Sequence, residues 1–430
     1  MAEDRPGVTE DFSPSYKRFA LAMLTAVYAL NFIDRQILVI LQEPIKAEMG
    51  LSDAQLGLLS GFAFAVVYVS AGIPIAFWAD RGNRRNIVSL AVAVWSGMTA
   101  ISGFAQNFGQ LLMARVGVGL GEAGGSPPAH SMISDYYPPE QRATALSIYS
   151  TGIYIGILLG FLFGGIIADA FGWRAAFLVV GVPGVLFALI LRFTLKEPQR
   201  GRWEQVSATA EKPGLKDTFT LLRDRPSFWY MALGCAFVAY VTYGNGNFVP
   251  SFLIRNHGMG LAEVGTALAL VSGLSGAIGT FAGGYLADKF GRIDKRWYVW
   301  IPLLGVVLAY LPYNYVLITG NTGVALTILF FASVLMSFFL GPCIAMSHAL
   351  VAPGMRALIS AILFFVLNMI GLGMGPFFTG LISDGLAATQ GEDSLRYAML
   401  TTTQALLVAA VMFAMAAKHL RADLAKNQAG

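Results

Sequence analysis

Four ionisable side chains stand inside stretches that are otherwise almost wholly apolar: Asp34, Arg35, Arg115 and Glu122. On insertion scales each such group costs roughly 2.5 to 3.5 kcal/mol at mid-membrane, so each is a functional candidate by default. Two carboxylates and two guanidiniums cancel when all are charged. Protonating one carboxylate leaves a positive charge in excess and favours an anion, which couples proton and anion binding at one site. Arg115 and Glu122 are seven residues apart, which places them on one helix face about 10 Å apart along the axis. Asp34 lies about 22 Å from the inner start of its span, and Arg115 about 9 Å from the outer start of its own. In a hydrocarbon core about 30 Å thick these depths nearly coincide. The sequence therefore predicts an Asp34–Arg115 pair, with Glu122 deeper, toward the inner side. The structural alternative is a static salt-bridge network joining the two spans. Asn31, one turn before Asp34, shares its face and either orients the carboxylate or bonds a neighbouring helix.

These residues need helices that cross a membrane to position them. Hydrophobic residues make up 56% of the 430, and charged residues 13%, against roughly 25% charged in soluble proteins. Apolar runs fall at 19–41, 54–79, 86–104, 109–136, 142–169 and 174–195, then at 227–252, 263–287, 296–317, 322–350, 357–383 and 395–417. Each is long enough for a spanning helix of about 20 residues, and too long and uniform for the alternating strands of a β-barrel. With both termini cytoplasmic, 23 of the 29 Lys and Arg fall on the cytoplasmic side, as the positive-inside rule requires. The exceptions are Lys46, Arg174, Arg255 and Arg396 on the other side, and Arg35 and Arg115 within spans. The expected organisation is a cytoplasmic segment 1–18, a bundle 19–195, a cytoplasmic linker 196–225, a bundle 226–417 and a cytoplasmic tail 418–430. Residues 1–18 lack the basic-then-apolar pattern of a cleavable signal, so the first span is expected to stay in the membrane, in the plasma or inner membrane of the cell.

Several chemistries are excluded. Cys235 and Cys343 both lie in apolar runs, which leaves no disulfide framework and no cysteine zinc site. The basic residues sit in short loops rather than on one patch, so nucleic acid is not a partner. No phosphate-binding Gly-x-x-x-x-Gly-Lys-Ser/Thr loop exists, and no filter loop or charge ring marks a channel. Ser126, His130 and Asp135 suggest a hydrolase triad only until an oxyanion site is sought; nothing supplies one. Histidine as a residue type is a proton carrier near neutrality, which makes His130 and His348 candidates, but helix contacts explain them better. The second half has no other ionisable residue well inside its spans. Span 7 instead offers Tyr240, Tyr243, Asn245 and Asn247, loosened by Gly244 and Gly246, and spans 10 and 11 add Met336, Phe338, Phe339, Phe364, Phe365, Asn368 and Met369. A glycine-interrupted helix marks either a binding segment or a packing kink.

The two halves repeat. Ala79-Asp80-Arg81 matches Ala287-Asp288-Lys289 at an offset of 208, Met49-Gly50-Leu51 matches Met259-Gly260-Leu261 at 210, and Pro139 and Arg142 match Pro353 and Arg356 at 214. Parallel repeats with a substrate path between them are a common transporter architecture. The loop after span 8, Gly284 through Asp288, Lys289, Gly291 and Arg292, resembles the signature Gly-x-x-x-Asp-Arg/Lys-x-Gly-Arg/Lys-Arg/Lys of the major facilitator superfamily. The first copy departs from it: Ala76 replaces the first Gly and Gly82-Asn83 displaces the second, with Arg84 and Arg85 kept. Arg115 and Gly119 resemble the family's Arg-x-x-Gln-Gly motif, with Val118 for Gln. Gly152, Gly156, Gly160 and Gly164 recur every fourth residue, a spacing that lets helix backbones approach closely. The resemblance extends over 19–417. Asn31-Phe32-Ile33-Asp34-Arg35 and Gly119-Leu120-Gly121-Glu122-Ala123 narrow it to the Spinster group of lipid transporters.

That resemblance implies an all-α fold of twelve helices in two pseudo-symmetric six-helix bundles and transport by alternating access, with no enzymatic activity. It implies proton coupling at Asp34 and Glu122, with protons as the coupling ion and no cofactor or metal, and an anionic head group facing Arg35. A cytoplasmic latch would involve Asp80 with Arg142 and the start of span 11, and the expected gate set is Asp80, Arg81, Arg85, Arg142 and Asp288. Substrate contacts are expected from Arg35, Arg115, Asn31, Tyr243, Asn245 and Asn368. A charged half facing an apolar half suits an anionic amphiphile, such as a sphingosine-1-phosphate-like lysolipid, carried by a monomer. The alternatives are a proton-coupled carrier of sugar or aromatic acids and a transporter-like sensor.

Overall fold

The structure is a computed structural model that describes residues 12–203, 215–352 and 355–426. The repeat partner Pro353, the linker lysine Lys212 and the extreme termini lie outside the described residues. Among the described residues every regular element is helical. Spans α1 to α6 are Pro14–Ile40, Asp53–Arg81, Arg84–Ser102, the pair Phe108–Glu122 and Ser126–Tyr136, Pro139–Phe171, and Trp173–Thr194. Spans α7 to α12 are Pro226–His257, Leu261–Gly291, Trp297–Ile318, the pair Thr322–Met336 and Leu340–Ala349, the run from Arg356 to Gln390, and the pair Ser394–Thr403 and Ala405–Ala425. They form two bundles, α1–α6 and α7–α12. The end carrying the start of α1 and the end of α12 is here called proximal, and the opposite end distal.

Local chemistry fixes the helix ends. The Ser13 hydroxyl accepts from Tyr16 N at 3.2 Å and Pro14 opens the first turn. That cap carries α1 back across the polar Tyr16, Lys17 and Arg18, five residues before the apolar run begins. Ser52 and Gln55 form a reciprocal capping box at the start of α2, and Asn83, Asn107 and Asn321 cap α3, α4 and α10 through their side chains. Each cap satisfies backbone N–H groups that the first helical turn leaves unpaired. Two spans carry a π-helical turn, Leu58–Phe62 in α2 and Asn368–Met374 in α11.

The glycine row of α5 lies against α1. A methyl group at Gly156 would stand 2.6 Å from the Phe32 Cβ, and at Gly160 2.8 Å from the Gln36 Cβ. Neither contact is physical, so the absent side chains set the α1–α5 distance, and α1 carries Asp34 and Arg35. Across the halves, Gly165 of α5 meets Gly265 of α8 backbone to backbone.

The linker is less independent than its length suggests. Its first residues fold back onto the first bundle: Glu197 takes Arg84 Nε at 2.7 Å and Arg85 N at 2.8 Å. Arg200 donates to the carbonyls of Ala79 and Asp80 at 2.5 Å each, and Trp203 Nε1 reaches Asp135 O at 2.9 Å. A short helix, Leu215–Arg223, precedes α7.

Candidate functional site

The four intramembrane charges converge where α1 meets α4. Arg35 Nε donates to Glu122 Oε2 at 2.7 Å, and the Glu122 side chain is wholly buried. The guanidinium carbon of Arg35 lies 5.1 Å from the Phe32 ring centre, 4.8 Å from that of Phe64 and 5.3 Å from that of Tyr68. Such faces attract a desolvated cation and fix its orientation. Among the described residues Arg35 commits only Nε to a hydrogen bond, leaving both terminal nitrogens for a ligand. A fork of this kind matches a carboxylate or phosphate. The guanidinium carbon of Arg115 lies 5.8 Å from the centre of the same Phe64 ring.

The expected Asp34–Arg115 ion pair is not formed. Asp34 and Arg115 interact electrostatically and are each nearly solvent-free, yet Asp34 Oδ1 and Arg115 Nε and Nη1 have no hydrogen-bond partner. Depth alone suggested the pairing. Successive residues on a helix point about 100° apart, and it is Arg35 with Glu122, rather than Asp34 with Arg115, that forms the ion pair between α1 and α4. Thr99 of α3 is the polar neighbour of Asp34, and Asn31 lies beside the Glu122 carboxylate. Glu122 Oε1 is also unpartnered. Buried polar atoms without partners are rare and costly, and four residues of one cluster carry them or leave donors free.

From the second bundle, Tyr243 approaches Arg35, together with Tyr28 and Tyr68 of the first. Asn368 begins the π-helical turn of α11, half-buried, with no side-chain hydrogen bond to the described residues. Asn245 is turned elsewhere: its amide nitrogen donates to Met399 O at 3.2 Å and Thr403 Oγ1 at 2.8 Å, tying α7 to α12. Asn247 bonds back to Tyr243 O at 2.7 Å.

The expected proximal gate residues stay within their own halves. Asp80 gives its carbonyl to Arg200 and Arg81 is exposed. Arg85 bonds Glu197 and Asn86, Arg142 donates to Ser134 O at 2.9 Å, and Asp288 accepts from Tyr298 at 2.7 Å. The buried cations there are Arg84, fully enclosed and bonded to Asp135, Glu197, Ser131 Oγ and Pro198 O, and Arg225, which donates to Leu350 O.

At the distal end the halves are joined. Arg255 of α7 bonds Glu43 at 2.6 Å and both Asp53 oxygens at 2.8 Å, and Lys46 reaches Asp53 at 2.5 Å. Asp384 of α11 accepts from Asp53 N at 2.9 Å and Ala54 N at 2.8 Å, and Ser383 donates to Asp53 at 2.7 Å. Among the described residues, the other side-chain hydrogen bond across the halves is Tyr154–Thr280, 2.6 Å, at mid-span. The sequence held a partial signal for this closure in Arg255, the one of the four bases on the unexpected side whose partners lie in the other half. All four bases that broke the positive-inside pattern are paired: Lys46 with Asp53, Arg174 with Glu48, Arg255 with Glu43 and Asp53, and Arg396 with Asp393.

Two six-helix bundles with a charged mid-membrane site between them, closed at one end, define a secondary transporter rather than an enzyme. Residues 24–376 match the Major Facilitator Superfamily, and the chain belongs to it. The chain is similar, at TM-score 0.88 and 35% identity over 96% of its length and 99% of the other chain, to a crystal structure of a bacterial homolog of the human lysosomal transporter Spinster, described as inward-facing and unoccupied. It is 33% identical to an "MFS-type efflux pump" of Mycolicibacterium smegmatis over 94% of both chains. A "Probable L-galactonate transporter" of Escherichia coli is 25% identical over 85% of this chain and 83% of its own.

Proposed function

We propose that the chain is a proton-linked carrier of an anionic lipid or amphiphile, with Asp34 and Glu122 as the proton-binding groups. The observation that carries this reading is the Arg35–Glu122 pair: a guanidinium held by one nitrogen, caged by aromatic rings and facing an almost uncharged second half. When an anion takes the free fork of Arg35, Glu122 loses much of its counter-charge and a proton on it becomes favourable. The same logic run backwards releases the anion when the carboxyl ionises. Asp34, beside Arg115 in a solvent-free setting, is the second group able to trade its charge for a proton. The head group would lie on Arg35 and Arg115, near Asn31 and Tyr243, and the tail against the Phe364, Phe365 and Met369 side of α11. The similarity to a Spinster homolog is in keeping with the Spinster resemblance of the sequence, and that structure's inward-facing state supports assigning the closed distal end to the outside and the termini to the cytoplasm.

Proteoliposomes with an imposed pH gradient test this. Gradient-driven movement of a phosphate-headed lysolipid, lost in Asp34→Asn, is expected. Movement of a sugar acid alone would turn the reading to a small-anion carrier, and binding without accumulation of either would make the chain a sensor.

A further inference from the structure

A row of protonatable groups on α4 starts at Glu122 of the site just described and runs on into residues that have no part in it. Glu122, Ser126, His130 and Ser134 follow one another at intervals of four residues. Within an unbroken helix such residues share a face with Cβ atoms about 6 Å apart; between Glu122 and Ser126, α4 is interrupted by a tightened right-handed turn in which Gly124 N donates to Gly121 O and Gly125 N to Glu122 O, at 3.0 Å each. Exposure opens along the row: the Glu122 side chain is enclosed, Ser126 is half-buried and His130 is exposed. Two tyrosines lean on its middle. The Tyr28 and Tyr149 side chains, from α1 and α5, both interact with Ser126. Their rings stack at 4.5 Å and 6°. The Tyr149 hydroxyl is buried without a hydrogen-bond partner, and the His130 ring stands edge-on to Tyr149 at 5.1 Å and 84°. Arg35 acts on Tyr28, but among the described residues no charged group acts on His130 itself.

We propose that His130 is the proton shuttle between Glu122 and the water at the proximal end, with the Ser126 and Tyr149 hydroxyls as its relay; this rests on the proton-coupled reading above. Direct transfer needs heavy atoms about 2.6 to 3.2 Å apart, or one water between them. A full helical turn separates successive groups of the row, so the Tyr149 hydroxyl and a bridging water fill the steps. The Glu122 O–H bond breaks as its proton passes to the Ser126 oxygen, and Ser126 gives up its own proton toward Tyr149 and the imidazole. His130 accepts on its free nitrogen and releases a proton from the other to water. At the end Glu122 is a carboxylate, both hydroxyls are restored, the imidazole is neutral and one proton has left. Histidine suits this task because its ordinary pKa lies near neutrality.

The test compares two modes of transport in proteoliposomes, using a phosphate-headed lysolipid as probe. Net uptake driven by a pH gradient requires a proton to leave on every cycle, whereas exchange of labelled for unlabelled lysolipid does not. His130→Ala and His130→Gln should each slow net uptake by about tenfold or more, in line with general acid–base contributions, and leave exchange within about twofold of wild type. Imidazole buffer on the proximal side should restore net uptake. Tyr149→Phe, which keeps the ring, should give a smaller loss of the same kind. Equal losses in both modes with both His130 variants, or no loss in either, would overturn the shuttle. A wild-type protein that moves lysolipid without protons would overturn the coupling reading and the shuttle together, which separates the two failures.

Discussion

The distal end of the molecule uses its charged side chains differently from the proximal end. At the distal end Arg255, Asp384 and Ser383 of one half reach across to Glu43, Asp53 and the first amides of α2 in the other. At the proximal end Arg84, Arg85, Arg142 and Asp288 bond inside their own halves, and the linker supplies Glu197 and Arg200 to the first of them. Charges bonded within a half keep that half rigid in any state. Charges bonded across the halves hold only one state, and are what a change of access must break and remake.

The sharpest way to break this contrast is Arg255→Ala. It strips Asp53 and Glu43 of their shared cation, and removing one member of a largely enclosed pair is costly because the other charge is left uncompensated. With partial exposure allowed for, a shift of about 2 kcal/mol toward distal opening is expected, read as a longer spin-label distance between cysteines at Gln106 and Glu392. An unchanged distance would show that helix packing, not the ion cluster, holds the distal end. Gly156→Ala comes next: it forces α1 off α5, for an expected loss of about 1 to 3 kcal/mol in stability. Its melting temperature should fall while the distal distance holds. Asp384→Asn keeps the shape but weakens two charge-assisted bonds, so a shift of about 1 kcal/mol in the same opening equilibrium is expected. The smallest effect belongs to Glu48, outside the spans. Hydrogen bonds from Trp173 and Arg174 hold its carboxyl below the ordinary range. Its contribution is therefore present above that range and disappears as the pH falls through the lowered value. Glu48→Gln should change thermal stability at neutral pH by less than about 1 kcal/mol, as exposed pairs do; a larger drop would give that pair a closing role.

Much of the molecule could be read from residue order. The twelve spans followed from hydropathy, because lipid-buried helices leave little freedom in where apolar runs begin and end; Gly152, Gly156, Gly160 and Gly164 signalled a close helix approach but not that α1 is the partner. The four intramembrane charges stood out for the same reason. Their pairing did not: depth was readable, but the turn of α1 that sends Arg35 rather than Asp34 to Glu122 is set by packing. Asn245 looked like a binding amide because its face was unknown, and α12 takes it. The distal closure joins residues more than 300 positions apart, such as Asp53 and Asp384. Each member alone resembles an ordinary charge at a helix end, and only Arg255 among the bases on the unexpected side hinted at it.

The claim that matters most is that one site binds a proton and an anion together. Proton uptake on ligand binding tests it without any gradient: purified protein is titrated with a phosphate-headed lysolipid in buffers of different ionisation enthalpy. One proton taken up per anion bound is expected, with affinity weakening as the pH rises, and Arg35→Ala should lose both binding and uptake. Tight anion binding with no proton uptake at any pH, in wild type and Asp34→Asn alike, would contradict the account.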